Sequence, residues 1–145
     1  CFDWVFPEAM RALALKGAQI VCHPSNLVLP YCPRAMITRC IENGVYAITT
    51  NRVGKEARAG LDLTFIGMSQ VIGPRGEVLM RANEEEEDLR IIDINPALAD
   101  NKMITQRNHL IDDRRPGFYG DICKSGASPS EFSPNEQGNP EQQAD

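Results

Sequence analysis

Cys1-Phe2-Asp3-Trp4-Val5-Phe6-Pro7-Glu8 sets a thiol at the head of an aromatic and acidic turn, and the residues after it decide the fold. Met10, Leu13 and Ala14 recur at helical spacing from Pro7 to Lys16, with proline suited to the first helical position and Gly17 to the residue just past the end. Gln19-Ile20-Val21-Cys22 is then a short, nearly all-apolar run that reads as an inner strand. A turn joining a strand to a helix lifts a nucleophile off a sheet edge, so Cys1 is the first candidate for chemistry. The sequence opens on this cysteine without an initiator methionine, and the expectation is the back part of a longer protein or the product of a cut.

Working outward, His23 to Pro30 reads as a loop because two prolines interrupt it. A second helix is predicted from Pro33 to Asn43, closed by Gly44, with Met36, Ile37, Cys40 and Ile41 as its apolar face. Val45 to Thr50 is another inner strand, rich in β-branched residues. Lys55 to Asp62 reads as a polar surface loop. Phe65 to Ile72 and Glu77 to Arg81 read as two strands joined through Gly73-Pro74-Arg75-Gly76. The acidic run Glu84 to Asp88 reads as a solvated loop, Leu89 to Ile94 as a last strand, and Asn95 as the cap of a short helix. Helices alternating with apolar strands indicate an α/β layered sandwich. From Asp121 onward, Ser, Pro, Gly, Asn, Gln and Glu replace the apolar residues, so residues 1–120 are taken as the folded part and 121–145 as a disordered polar tail.

Composition narrows the class of function. In 145 residues the net charge is −5 with no basic cluster, which argues against nucleic acid and anionic membranes as partners. Neither a spanning apolar run nor a signal peptide opens the chain. The five cysteines show no CxxC pair and no regular spacing, which disfavours a zinc ribbon or a disulfide scaffold. Cys22 and Cys40 fall on predicted apolar positions, where free cysteine behaves as a small hydrophobe. The expectation is a reducing, cytoplasmic compartment, with no metal and no cofactor.

The motifs, in order, resemble the nitrilase or carbon–nitrogen hydrolase superfamily. Cys1 to Glu8 is similar to the nucleophile motif of that family, and Arg11 to the arginine of its next helix. His23-Pro24-Ser25-Asn26-Leu27, Arg39-Cys40-Ile41-Glu42-Asn43 and Asn51-Arg52-Val53-Gly54 resemble its following loop, helix end and turn. Gly67-Met68-Ser69, the Pro74 to Glu77 turn and Asp113-Arg114-Arg115-Pro116 with Tyr119 are similar to its hairpin and C-terminal signatures. The likeness is greatest to nitrilases of thermophilic archaea, and the tail from Asp121 has no counterpart. The resemblance implies a four-layer α-β-β-α sandwich, of which this chain would be the C-terminal portion. It implies hydrolysis of a nitrile or amide of a small molecule through a cysteine thioester, in a homo-oligomer, dimer or larger. It also implies a Glu base and a Lys stabiliser that precede the cysteine. Their place ahead of Cys1 leads to the expectation that this chain is inactive alone and, through exposed strand edges at Gln19–Cys22 and Val45–Thr50, poorly soluble.

The resemblance makes Cys1 the nucleophile and the backbone N–H of Phe2 an oxyanion donor. A free thiol, with a reference pKa of about 8.5, needs an activating group, and Asp3 is a like charge. Asn26, on a loop expected to open near Cys1, and Trp4, beside it in sequence, are candidate substrate contacts. His23 reads as a structural hydrogen-bonder rather than a base, Glu42 as a brace, and Ser69 and the Arg114–Arg115 pair as structural. Two other readings stay open. One is an N-terminal-nucleophile amidohydrolase using the Cys1 amine as base. The other is a non-catalytic assembly partner.

Overall fold

The computed structural model describes residues 1–58 and 60–126, so of the tail expected to be disordered, 121–145, residues 127–145 lie outside the described residues. A 3-10 turn over Phe2–Val5 leads into helix α1 (Pro7–Leu15), strand β1 (Ile20–Ser25), helix α2 (Cys32–Asn43) and strand β2 (Tyr46–Asn51). Strands β3 (Val53–Arg58), β4 (Leu61–Ile66), β5 (Gln70–Ile72) and β6 (Val78–Arg81) follow. Residues 1–113 make one compact unit. Residues 114–126 belong to a second, in which Pro116–Phe118 and Gly120–Cys123 form 3-10 turns and the Arg114 guanidinium lies over the Tyr119 ring.

One sheet has the strand order β1-β2-β5-β6. Its β1 and β2 are parallel, joined through α2, while β2, β5 and β6 pair antiparallel. Because side chains alternate across a strand, Val21, His23 and Ser25 share one face with their register neighbours Ala47, Thr49 and Asn51. The helices cover that face. Met10 and Ala14 of α1 and Met36 and Cys40 of α2 meet Ala47 and Ile72 in the core. Burial of about 25 cal/mol per Å² of apolar surface is what holds this layer in place. It also pushes the thiols of Cys32 and Cys40 up to about 11 and about 12, leaving them protonated and inert at neutral pH. Helix α2 ends on Gly44 in the left-handed region at φ 60, where a side chain would be strained. The Lys102 ammonium donates to the carbonyls of Asn43 and Gly44 at 3.0 and 2.8 Å, placing a cation on the negative end of the helix.

Both helices, β1, β2 and the β5–β6 hairpin stand where the sequence predicts them. The Asn95 side chain accepts from the Ala97 N–H, as its capping role requires. Four readings change. His23-Pro24-Ser25 continues β1 instead of leaving it, and Pro24 is accommodated because β1 is an edge strand. Lys55 to Asp62 is no loop. It holds the end of β3 and the start of β4 in the β3–β4 hairpin, a ladder whose exposed faces give no apolar period to read. Phe65 to Ile72 is broken by Gly67 and Met68, both at φ 56, into the end of β4 and the whole of β5. Leu89 to Ile94 forms no strand among the described residues. Leu89 and Ile91 are 90 % and 89 % exposed, because alternation without a neighbouring strand satisfies no ladder. Two smaller corrections follow from the same topology: β2 is paired on both sides rather than an edge, and Cys22 is exposed rather than packed.

Candidate active site

Cys1 stands exposed at the head of the 3-10 turn. Its Sγ lies 3.3 Å from the backbone N–H of Asn26, a contact that strengthens as the sulfur gains negative charge. Asn26 therefore reaches Cys1 through its main chain, from the end of β1, and not through the side chain singled out in the sequence. Phe2 opens the 3-10 turn, so its N–H has no carbonyl within the turn to bond. The Phe2 ring is exposed and packs edge-on against Phe6, with centroids 5.6 Å apart.

His23 is buried beneath this turn, and its Nε2 lies 2.8 Å from the carbonyl oxygen of Cys1. A carbonyl can only accept, so Nε2 carries the proton and Nδ1 is the acceptor of the neutral ring. Thr49 Oγ1 faces Nδ1 at 3.3 Å, while Ser25 Oγ lies between the two ring nitrogens, 3.2 Å from Nδ1 and 3.1 Å from Nε2, and donates to the His23 carbonyl at 3.3 Å. Burial lowers the His23 pKa and keeps the ring neutral, with the nearby Asp3 pulling weakly the other way. A neutral imidazole committed at both nitrogens to this network is a support for the turn, in line with the structural reading of this histidine.

The far side of the turn is held from α2. The Arg39 guanidinium donates from Nε to the Trp4 carbonyl and from Nη2 to the Val5 carbonyl, each at 3.3 Å. Glu42 pairs with the same guanidinium at 3.2 Å, and the Glu42 carbonyl accepts from Arg11 of α1. Glu42 is thus a brace, acting through Arg39. A cavity of ≈ 190 Å³ lies beside the turn, with Cys1, Asp3, Trp4, His23 and Arg39 among its lining residues. Trp4 shares that cavity with Cys1; Asn26 does not line it, and neither a Glu nor a Lys does.

Below the site, Asn51 joins three segments. Its Oδ1 accepts the Leu27 N–H at 2.7 Å, its Nδ2 donates to the Gly67 carbonyl at 2.7 Å, and its backbone exchanges hydrogen bonds with Ser69 Oγ. Sequence reasoning quoted Asn51, Arg39 and Ser25 only as parts of motifs and passed over Thr49. The alternation of β2 would have placed Thr49 on the helix-covered face, but the β1–β2 register that sets it near His23 is not readable from one strand. Among the described residues no cluster of three or more His, Cys, Asp or Glu could hold a metal ion, and no helix is long and apolar enough to cross a membrane.

The family model for carbon-nitrogen hydrolases matches residues 1–102, with Cys1 and all of the turn, clamp and Asn51 inside the match. The chain belongs to this family. It is 49 % identical over 119 residues to a nitrilase of Pyrococcus abyssi, across 82 % of this chain and 44 % of that protein. It is 31 % identical over 136 residues to N-carbamoylputrescine amidase of Solanum tuberosum, with the same two coverages of 82 % and 44 %. Its fold superposes on the carbon-nitrogen hydrolase of Helicobacter pylori G27 with a TM-score of 0.69 at 30 % identity, over 86 % of this chain and 47 % of that one. It also superposes on a variant amidase of Nesterenkonia sp. AN1, with a TM-score of 0.64 at 29 % identity, over 83 % and 41 %. In that structure the acetamide moiety of fluoroacetamide is covalently added at the active site cysteine. The chain therefore spans less than half the length of these relatives, and its mixed α/β fold is theirs.

Proposed function

We propose that the protein hydrolyses a non-peptide carbon–nitrogen bond in a small amide or nitrile, with Cys1 as the nucleophile. What supports the reading is the exposed Cys1 thiol on a turn fixed at its sulfur by the Asn26 N–H and at its carbonyl by His23, inside the stretch that matches the family. With an amide, the thiolate adds to the carbonyl carbon and the oxyanion is held by the Phe2 N–H. The carbon–nitrogen bond then breaks, and the amine leaves with a proton. The thioester on Cys1 is opened by water, which returns the thiol and yields the carboxylic acid. One well-placed oxyanion donor contributes about 3–4 kcal/mol to such a step. Trp4 walls the space beside the thiol. The Glu base and Lys stabiliser of this reading are those that the family resemblance implies ahead of Cys1. On this reading, and as the resemblance implies, residues 1–145 alone are inactive and the complete protein is a homo-oligomer.

Family membership does not favour the reading with the Cys1 amine as base, and no observation points to a purely structural partner. The test uses the protein from its complete gene. Cys1→Ala should lower amide turnover by at least about 10⁴-fold, the scale on which a nucleophile's removal is felt. Quenched wild-type reactions should carry the acyl mass on the Cys1 peptide. Turnover that survives in Cys1→Ala, or an adduct on another cysteine, overturns the assignment.

A further inference from the structure

The Cys1 carbonyl that His23 holds and the Phe2 N–H belong to one peptide unit. A peptide is planar and trans, so its C=O and N–H point in opposite directions and turn together. We propose that His23, set in its tautomer by the Cys1 carbonyl at Nε2 and Thr49 at Nδ1, is a positioning residue that aims the Phe2 N–H at the oxyanion. The proposal rests on the reading of Cys1 as the nucleophile and adds a role that His23 plays through the Cys1–Phe2 backbone.

Geometry carries it. The Nε2–O distance of 2.8 Å is that of a well-formed hydrogen bond, and His23 is buried at 8 % exposure. The Phe2 N–H is at the first position of a short 3-10 turn, where nothing within the turn restrains the plane of the preceding peptide. Arg39 fixes the same turn only at its far end, through the carbonyls of Trp4 and Val5. Without His23 the Cys1–Phe2 peptide is free to rock about its flanking bonds. A hydrogen bond accepted at the C=O also polarises the N–H of the same amide, so the donor is strengthened as well as aimed. Both imidazole nitrogens have partners in this arrangement, Nε2 the Cys1 carbonyl and Nδ1 the Thr49 hydroxyl. That separates the role from that of a general base.

The experiment compares His23→Ala, His23→Gln and the double variant Ser25→Ala/Thr49→Val in the complete enzyme. It reads kcat, KM and the rate at which iodoacetamide alkylates Cys1. Alkylation displaces iodide at a saturated carbon and forms no oxyanion, so it reports the thiol without the donor. His23→Ala should lose about 10²-fold in kcat, the low end for a lost oxyanion donor, with KM and the alkylation rate changed by less than about threefold. His23→Gln, whose Nε2 amide can donate to the same carbonyl, should recover at least about tenfold of that loss. The double variant, which removes both hydroxyls beside the ring and keeps the histidine, should lose kcat in the same direction by about three- to tenfold. The proposal is overturned if kcat is unchanged in His23→Ala. It is also overturned if kcat and alkylation fall together, or if Gln restores nothing while its alkylation rate stays normal. Should His23→Ala not fold, the Gln and double variants decide the matter by the same split. A Cys1→Ala enzyme that still turns over would instead remove the nucleophile reading, a distinguishable failure.

Discussion

Around Cys1 the backbone makes a single turn whose carbonyls are taken up by side chains from distant parts of the sequence, His23 for Cys1 and Arg39 for Trp4 and Val5. The β3–β4 hairpin works the other way. Val53 to Arg58 and Leu61 to Ile66 pair residue for residue in one antiparallel register, and the ion pair of Glu56 with the preceding Arg52 is solvent-exposed. The first region depends on particular side chains; the second depends on main chain that almost any residue supplies. Substitutions should therefore be costly in one and cheap in the other, which is a comparison that stability measurements can break.

Asn51 should cost the most, because it sits on the seam. It ties the Leu27 N–H, one residue past the Asn26 that meets Cys1, to the Gly67 carbonyl at the end of the hairpin. Asn51→Ala leaves a donor and an acceptor unpaired in half-buried surroundings. We expect a loss of about 3 kcal/mol in urea unfolding of the complete protein. A change below about 1 kcal/mol would mean that water replaces both bonds and that the two regions are not joined there.

Arg39 tests the turn itself. Arg39→Met keeps much of the packing volume but uncovers the Trp4 and Val5 carbonyls and leaves Glu42 without its partner. The expected loss is about 2 kcal/mol, mostly from the two carbonyl bonds, since a partly exposed ion pair contributes about 0–1 kcal/mol. The change should also speed proteolytic cleavage near residues 2–6. Equal protection of that segment in variant and wild type would show that the helix packing alone holds the turn.

The difference between the two regions also explains what could be read in advance. Helix α1, helix α2 and β2 were legible because burial writes its period into Met10, Ala14, Met36, Cys40 and Ala47. Cys1 was legible because its motif is contiguous. The clamp was not, for Arg39 and His23 find their carbonyls only after α2 and β1 have packed, and no local rule pairs residue 39 with residues 4 and 5. The hairpin was missed for the opposite reason. Lys55-Glu56-Ala57 has neither an apolar period nor strong β propensity, and a ladder formed by backbone alone leaves no mark on composition. Leu89 to Ile94 shows the converse, an alternating pattern without a strand beside it.

The smallest effect should come from Glu56→Gln within the hairpin. Glu56 is paired with Arg52, but both side chains are more than a third open to solvent or close to it, at 35 % and 45 % exposure. Water and salt screen such a pair, and holding two long side chains in one geometry offsets much of the attraction. Arg52 keeps a second interaction after the change, since its guanidinium lies 4.3 Å from the centre of the Phe65 ring, which is buried. The glutamine can still fill the cross-strand position opposite Leu63, so the ladder is untouched. We expect a stability change within about 0.5 kcal/mol, and that small change should shrink further when the salt concentration is raised. A loss of more than about 1.5 kcal/mol, insensitive to salt, would show that this hairpin also hangs on a particular side chain. The contrast with the Cys1 turn would then be one of degree and not of construction.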